Sequence, residues 1–284
     1  MAAAEFKPEF APSSAPHKLV PKDIYTRVVK GFFVRFNSLL VAAAVQLLFC
    51  LVLPEGYAIV PAAVLLLAFA TTALAHRLSS SAGSNPYVAG VVRGRVTAQL
   101  PSAGGTLGPT PAERGLVVFN LGIQWNHALG PLCPGGPAAA RHFLALNADL
   151  MRRRHELGIL TASEWRGAGL ANASTFNLTY YFRDVESIHR VAHEDLHRSA
   201  WNWYNQGRFP HIGVFHETFV VPARAYETIY ANCVPVGLGR GTVKCDDVKN
   251  LDEQWVNTLV NADVPALKTQ ALRLSRDADM RLKT

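Results

Sequence analysis

Between Phe36 and Ala75 the chain carries one charged side chain, Glu55, which sits in a Pro54-Glu55-Gly56 break. The flanking runs are FNSLLVAAAVQLLFCLVL (36–53) and YAIVPAAVLLLAFATTALA (57–75). Each is long enough for a helix of about 27 Å, close to the ~30 Å hydrocarbon core of a bilayer. So short a link permits only a tight turn, and the two helices are predicted to lie antiparallel as a transmembrane hairpin. Lys7, Lys18, Lys22, Arg27, Lys30 and Arg35 precede the first run, Arg77, Arg93 and Arg95 follow the second, and the link has no basic residue. The cytoplasmic bias of Lys and Arg then puts both chain ends, and the body of the protein, on the cytosolic side of a membrane such as the endoplasmic reticulum. The competing readings are a buried helical hairpin and a cleaved secretory signal. Against the signal, the apolar stretch is far longer than an h-region of about 7–15 residues and is interrupted by a turn.

The hairpin sets the plan of the chain. Residues 1–35 are expected to be a flexible basic tail with several prolines, 36–77 the hairpin, and 78–114 a Ser/Gly/Pro-rich linker with one candidate strand at 91–100. Residues 115–245 form the folded body, and 246–284 a helical, amphipathic tail. The net charge of +7 flanks the hairpin rather than gathering in a block, which argues for a lipid surface and against nucleic acid as partner. Four scattered cysteines without a CxxC pair read as reduced thiols. Two glycosylation sequons, at Asn172 and Asn177, would stay bare in the cytosol.

Within the body, GLVVFNLGIQW (115–125) reads as a buried strand. A helix starts at Ala138 with Phe143, Leu146, Leu150 and Met151 at helical spacing, and Gly158 stops it. Strands follow at 159–169 and 175–183, then a helix over 185–204 capped by Asp184, then a strand at 212–221 ended by Pro222. Strand, helix, strand, strand, helix, strand is the split βαβ order. It predicts an α+β, ferredoxin-like antiparallel sheet with helices on one face. The other face needs a cover: a second copy of the chain, extra segments or a ligand.

His189, His193 and His197 stand four residues apart on the predicted helix, so they form a slanting stripe that Trp201 continues. A pair of histidines one turn apart can chelate a metal, but no carboxylate at a helical offset completes the set, and no metal is expected. An imidazole in a cavity can instead move protons, and His197 is the candidate. His216 and Glu217 are neighbours on a strand and must point to opposite faces. Glu217 lies in an apolar row with Phe215 and Phe219, so its carboxyl is either paired, for instance with Arg183, or held protonated. The "GLGRG" at 237–241 lacks the strand–helix setting of a nucleotide loop.

The segments YYF (180–182), HRSAW (197–201), GVFHETF (213–219), YETIYAN (226–232) and GLG (237–239) carry a resemblance. With them, residues 115–239 resemble the monooxygenase-like family of the dimeric αβ-barrel superfamily, as found in fungal biosynthetic clusters. Phe215 stands where the resemblance leads one to expect tryptophan. The resemblance implies the ferredoxin-like fold and a homodimer. More loosely, it implies an oxidoreductase of monooxygenase type acting on a lipophilic terpenoid or polyketide intermediate that reaches it from the bilayer. It allows haem with one histidine as axial ligand, and equally no cofactor. The candidate catalytic residues are His197, His216, Glu217 and Arg183, with Trp201, Tyr181, Phe215 and Tyr226 as substrate contacts. A redox-free cyclase or isomerase of pericyclase type, or a dimerising scaffold without enzymatic activity, fits the same residues.

Overall fold

The apolar runs fold as two helices, α1 (Phe36–Val52) and α2 (Val60–Leu78). Gly56 turns the chain at φ +89°, and Gln46 of α1 donates to the Ala58 carbonyl at 2.7 Å across the turn. The outward side chains are apolar: Leu51 is 76% exposed and Leu65 72%. The hairpin is thus helical as expected, but α1 has 17 residues and α2 ends in His76-Arg77-Leu78. Among the described residues no helix is long and apolar enough to cross a membrane.

The structure is a computed structural model that describes residues 5–16, 36–78, 88, 90–167, 175–248, 254–277 and 279–282. The basic flank at 18–35, the linker residues 79–87, Asn172 and Leu251 lie outside the described residues. Two compact units result, one spanning 20–90 and the other 1–19 together with 91–284.

In the larger unit the elements are β1 (Val92–Ala98), β2 (Leu116–Trp125), α3 (Gly136–Arg152), β3 (Ile159–Arg166), β4 (Thr175–Phe182), α4 (Val185–Ala192), α5 (Asp195–Gly207) and β5 (Ile212–Val221). They are followed by β6 (Tyr230–Cys233), β7 (Thr242–Lys244), β8 (Trp255–Asn257), β9 (Leu259–Asn261) and α6 (Gln270–Arg273). Four strands form an antiparallel sheet in the order β3-β4-β2-β5, the ferredoxin-like arrangement expected from the sequence. Alternation then sorts the side chains. Val117, Phe119, Leu121 and Ile123 of β2, with Leu178, Tyr180 and Phe182 of β4, face the helices and join Leu146 and Leu150 of α3 in the core. Leu116, Val118, Asn120 and Gly122 face the other way.

That outer face is partly covered by the chain's own second layer, the sheets β6-β1-β9 and β7-β8. Leu238, Tyr226, Tyr230 and Val243 pack there against Leu116, Leu160 and Tyr181. The expected flexible tail is, over residues 5–16, an arm of this layer: Phe6 is buried among Leu107, Val256, Val260 and Leu267, Pro8 bridges to Val260 and Ser13 to Trp255. The expected helical tail is corrected as well. Residues 255–261 form strands, because Asn257 Oδ1 accepts from the Leu259 amide (2.9 Å) and Thr258 Oγ1 donates to the Leu238 carbonyl (2.7 Å). Such local bonds compete with a helix.

Candidate active site

Three histidines at helical spacing would share a stripe only on one continuous helix, and the chain breaks that helix in two. Asp184 caps α4 as expected, accepting from the Ser187 amide at 2.8 Å. His193 then ends α4, and Glu194 is extended (φ −66°, ψ 140°) before α5 begins. Arg153, at the end of α3, fixes the break by donating to both carboxylate oxygens of Glu194 at 2.6 and 3.2 Å. His189 and His193 are consequently exposed, and His197 alone of the three turns toward the sheet.

Between helices and sheet lies a cavity of about 540 Å³. Its floor is apolar, with Phe119, Leu121, Phe143, Leu146, Leu150, Phe182 and Val191. Helix α5 contributes His197, Ala200, Trp201 and Trp203, and β5 contributes Val214, His216 and Thr218. Burial pushes the His197 pKa below its ordinary value, and the neighbouring His216 pushes it the same way. His216 stacks at 5.7 Å on Phe119. Among the described residues neither imidazole has a side-chain hydrogen bond to the protein, so both are open to a ligand.

The other candidates divide by face. Trp201 lines the cavity while remaining 51% exposed, stacked on Tyr204 at 5.7 Å. Phe215 borders the cavity, yet its ring lies across Gly122 on the outer face, in the space a Cβ there would need. Glu217 is also on the outer face. The expected ion pair with Arg183 is not formed: Glu217 accepts from Asn120 (3.4 Å), its register partner on β2, and Asn120 accepts from Thr179 (2.7 Å) on β4. Arg183, just beyond β4, is exposed and outside the cavity. Tyr181 packs beneath the turn at Gly237–Arg240, and Tyr226 is buried in the same layer, where burial raises the pKa of both phenols. Of the eight candidates, then, the structure brings His197, His216, Trp201 and the edge of Phe215 together, and leaves Glu217, Arg183, Tyr181 and Tyr226 elsewhere.

One lining residue is absent from that set: His142 of α3, stacked on Trp203 at 4.7 Å. Its signal was the spacing that singled out the other histidines, since His142, Leu146 and Leu150 are also four apart. A haem can be tested against the wall. His197 could offer a nitrogen to the iron, but among the described residues no Lys or Arg lines the cavity to meet the carboxylates of a haem, so the fit is poor and no step is derived through one.

Arg153 controls this geometry from outside the cavity, because Glu194 stands three residues before His197. Arg153→Ala is expected to loosen the start of α5 and weaken capture of an apolar fluorescent dye several-fold with little change in helix content. Fluorescence titration beside circular dichroism checks it.

A ferredoxin-like antiparallel sheet covered by helices, with an apolar, imidazole-bearing cavity between them, defines the chain as an α+β protein of ferredoxin-like fold. Residues 116–238 match the monooxygenase af470-like family. The chain is also 41% identical over 271 residues to Monooxygenase af470 of Aspergillus fumigatus, covering 95% of this chain and 98% of that protein. The chain belongs to the monooxygenase af470-like family. An alignment of that extent includes the hairpin as well as the body. Similar solved structures include an aldoxime dehydratase in complex with butyraldoxime (13% identity, TM-score 0.39), where the match covers 50% of this chain and 38% of the dehydratase. Another is a cofactor-independent oxygenase from Streptomyces nogalater (13% identity, TM-score 0.27), covering 37% of this chain and 90% of the oxygenase.

Proposed function

We propose that this chain is a membrane-anchored oxidoreductase of monooxygenase type that oxidises a lipophilic terpenoid or polyketide intermediate in the cavity under the sheet. The observation that carries the reading is a half-buried His197 beside His216 in an apolar cavity, both without a hydrogen bond among the described residues. A neutral His197 can take a proton from an acidic C–H or O–H of the substrate, and His216 can return it. The resulting anion is electron-rich enough to react with dioxygen. In balance, the substrate loses two hydrogens and gains one oxygen atom, the second oxygen leaves as water, and no outside reductant is consumed. The family relative carries the name monooxygenase, which agrees with this chemistry.

Anchoring rests on the hairpin's exposed apolar surface and its basic flanks. At 1.5 Å per residue α1 and α2 reach about 26 and 28 Å, short of a ~30 Å core, so the proposed anchoring requires a locally thinned bilayer. An oily substrate concentrated in that lipid meets the enzyme at a raised local concentration. The outer sheet face, with Phe219 and Trp165 about half exposed, suits a second copy of the chain, so a homodimer is expected.

The test uses the full chain with extracts of the producing cell. Oxygen uptake matched to product, in a membrane fraction that resists alkaline carbonate, is expected, and deletion of 36–78 should release the protein to the supernatant. Turnover that continues without oxygen would identify the acid–base cyclase or isomerase instead, for which the same histidine pair suffices.

A further inference from the structure

We propose that the substrate is an elongated molecule with a polar group at each end, and that His142 holds the end remote from His197 and His216. The inference rests on the cavity being the substrate site, as in the reading above. His142 lines the cavity from α3 and lies 4.7 Å from the Trp203 ring at an interplanar angle of 32°. Among the described residues its imidazole makes no hydrogen bond to the protein. The nearby Tyr204 hydroxyl is committed to the Ile212 carbonyl at 2.9 Å, so His142 is the group that meets a ligand at this end.

The two ends are well separated. Trp203 follows His197 by six residues on α5, about 9 Å along the axis. Ile212, which shares a buried cluster with Trp203, precedes His216 by four residues on β5, about 13 Å along the strand. The charge that reaches His197 is that of His216. Between Ile212 and His216 the cavity face of β5 carries Val214, opposite Ile123 of β2, so the wall there is hydrocarbon. A ligand polar at one end only gives a hydrogen-bond partner to one pole, His142 or the His197–His216 pair, and leaves the other facing its apolar part. A molecule polar at both ends, with an apolar middle of matching length, meets both poles.

The test is equilibrium binding to the full-length protein in detergent. α,ω-Dicarboxylic and ω-hydroxy acids of graded length are compared with monocarboxylic acids of the same length. At the matching length the bifunctional acids are expected to bind about tenfold tighter, equal to about 1.4 kcal/mol. His142→Phe keeps the bulk and the ring contact but removes the nitrogens. It should erase that advantage, so that bifunctional and monofunctional acids of the same length bind alike, and His142→Asn should restore part of it. Equal binding of the two classes at all lengths, or an advantage that survives His142→Phe, overturns the proposal. Because binding is read without turnover, a failure of oxygen uptake would sink the proposed reaction and leave this result standing. Absence of binding by either class overturns both this inference and the choice of cavity.

Discussion

Replacing His197 by alanine is expected to lower turnover on the order of 10²–10⁴-fold, the usual contribution of a positioned acid–base group. The residue is half-buried and unbonded to protein, so its loss should leave the melting temperature nearly unchanged, which separates a chemical role from a structural one. The pH profile carries a sharper signature. A base works in its neutral form, and burial places the His197 pKa below the ordinary value of 6.5. Activity should therefore be flat above pH 6.5 and fall only as pH drops through the lowered folded-state value. The same shift means that protonation favours the unfolded chain, so His197's contribution to stability is complete above pH 6.5 and is lost as pH falls below it. Removing the neighbouring imidazole by His216→Asn takes away one cause of the shift, and the acid limb should then move to higher pH. Rate against pH for the parent and both variants checks this. An acid limb that ignores His216 would mean the two rings do not act on one substrate.

The features readable from sequence were those set by local period. An apolar run marks the strand at 116–125, alternation marks 175–182 and Pro222 closes 212–221, while the period of two also dictates that His216 and Glu217 face apart. What escaped was set by distant partners. The break at Glu194 depends on Arg153, 41 residues earlier in the chain. Nothing in 185–204 announces it, so His189, His193 and His197 read as one stripe. Glu217 was matched with Arg183 by charge alone, whereas the β2–β5 register hands it Asn120. Residues 5–16 read as disordered because their anchors, Phe6 and Phe10, find partners only in distant segments: Leu107, Val256, Val260 and Leu267 for the first, Val92, Val96 and Leu259 for the second. Tyr181 and Tyr226 read as site aromatics because the layer that buries them is assembled from distant segments, β1, β6, the Gly237–Arg240 turn and the C-terminal strands, whose pairing local period does not announce.

That second layer supplies the other large expected effect. Glu227→Ala should cost the larger unit about 3–5 kcal/mol, the usual penalty for stranding one member of a buried ion pair. Glu227 accepts from Arg273 Nε at 2.7 Å; the arginine side chain is 6% exposed and the glutamate 19%. Arg273 also donates to the Leu267 carbonyl at 3.1 Å, so its guanidinium is fixed in place and cannot follow a lost partner into water. At this size a loss of that order lowers the melting temperature on the order of 10 °C. The YETIYAN segment has the look of a catalytic motif, yet its side chains act as fasteners. Thr228 Oγ1 accepts from the Ala98 amide at 2.7 Å, and the Tyr230 hydroxyl accepts from the Gly239 amide at 3.0 Å, so β1, the Gly237–Arg240 turn and α6 are all tied to one short segment. A fastener and a catalyst separate cleanly in the assay. Below its own melting point, Glu227→Ala should keep its rate per folded molecule. The double replacement Glu227→Met with Arg273→Leu removes both charges together and should recover most of the lost stability. Were the rate to collapse at full folding, the outer layer would hold the chemistry, and the cavity beneath the helices would not be the place where the substrate reacts.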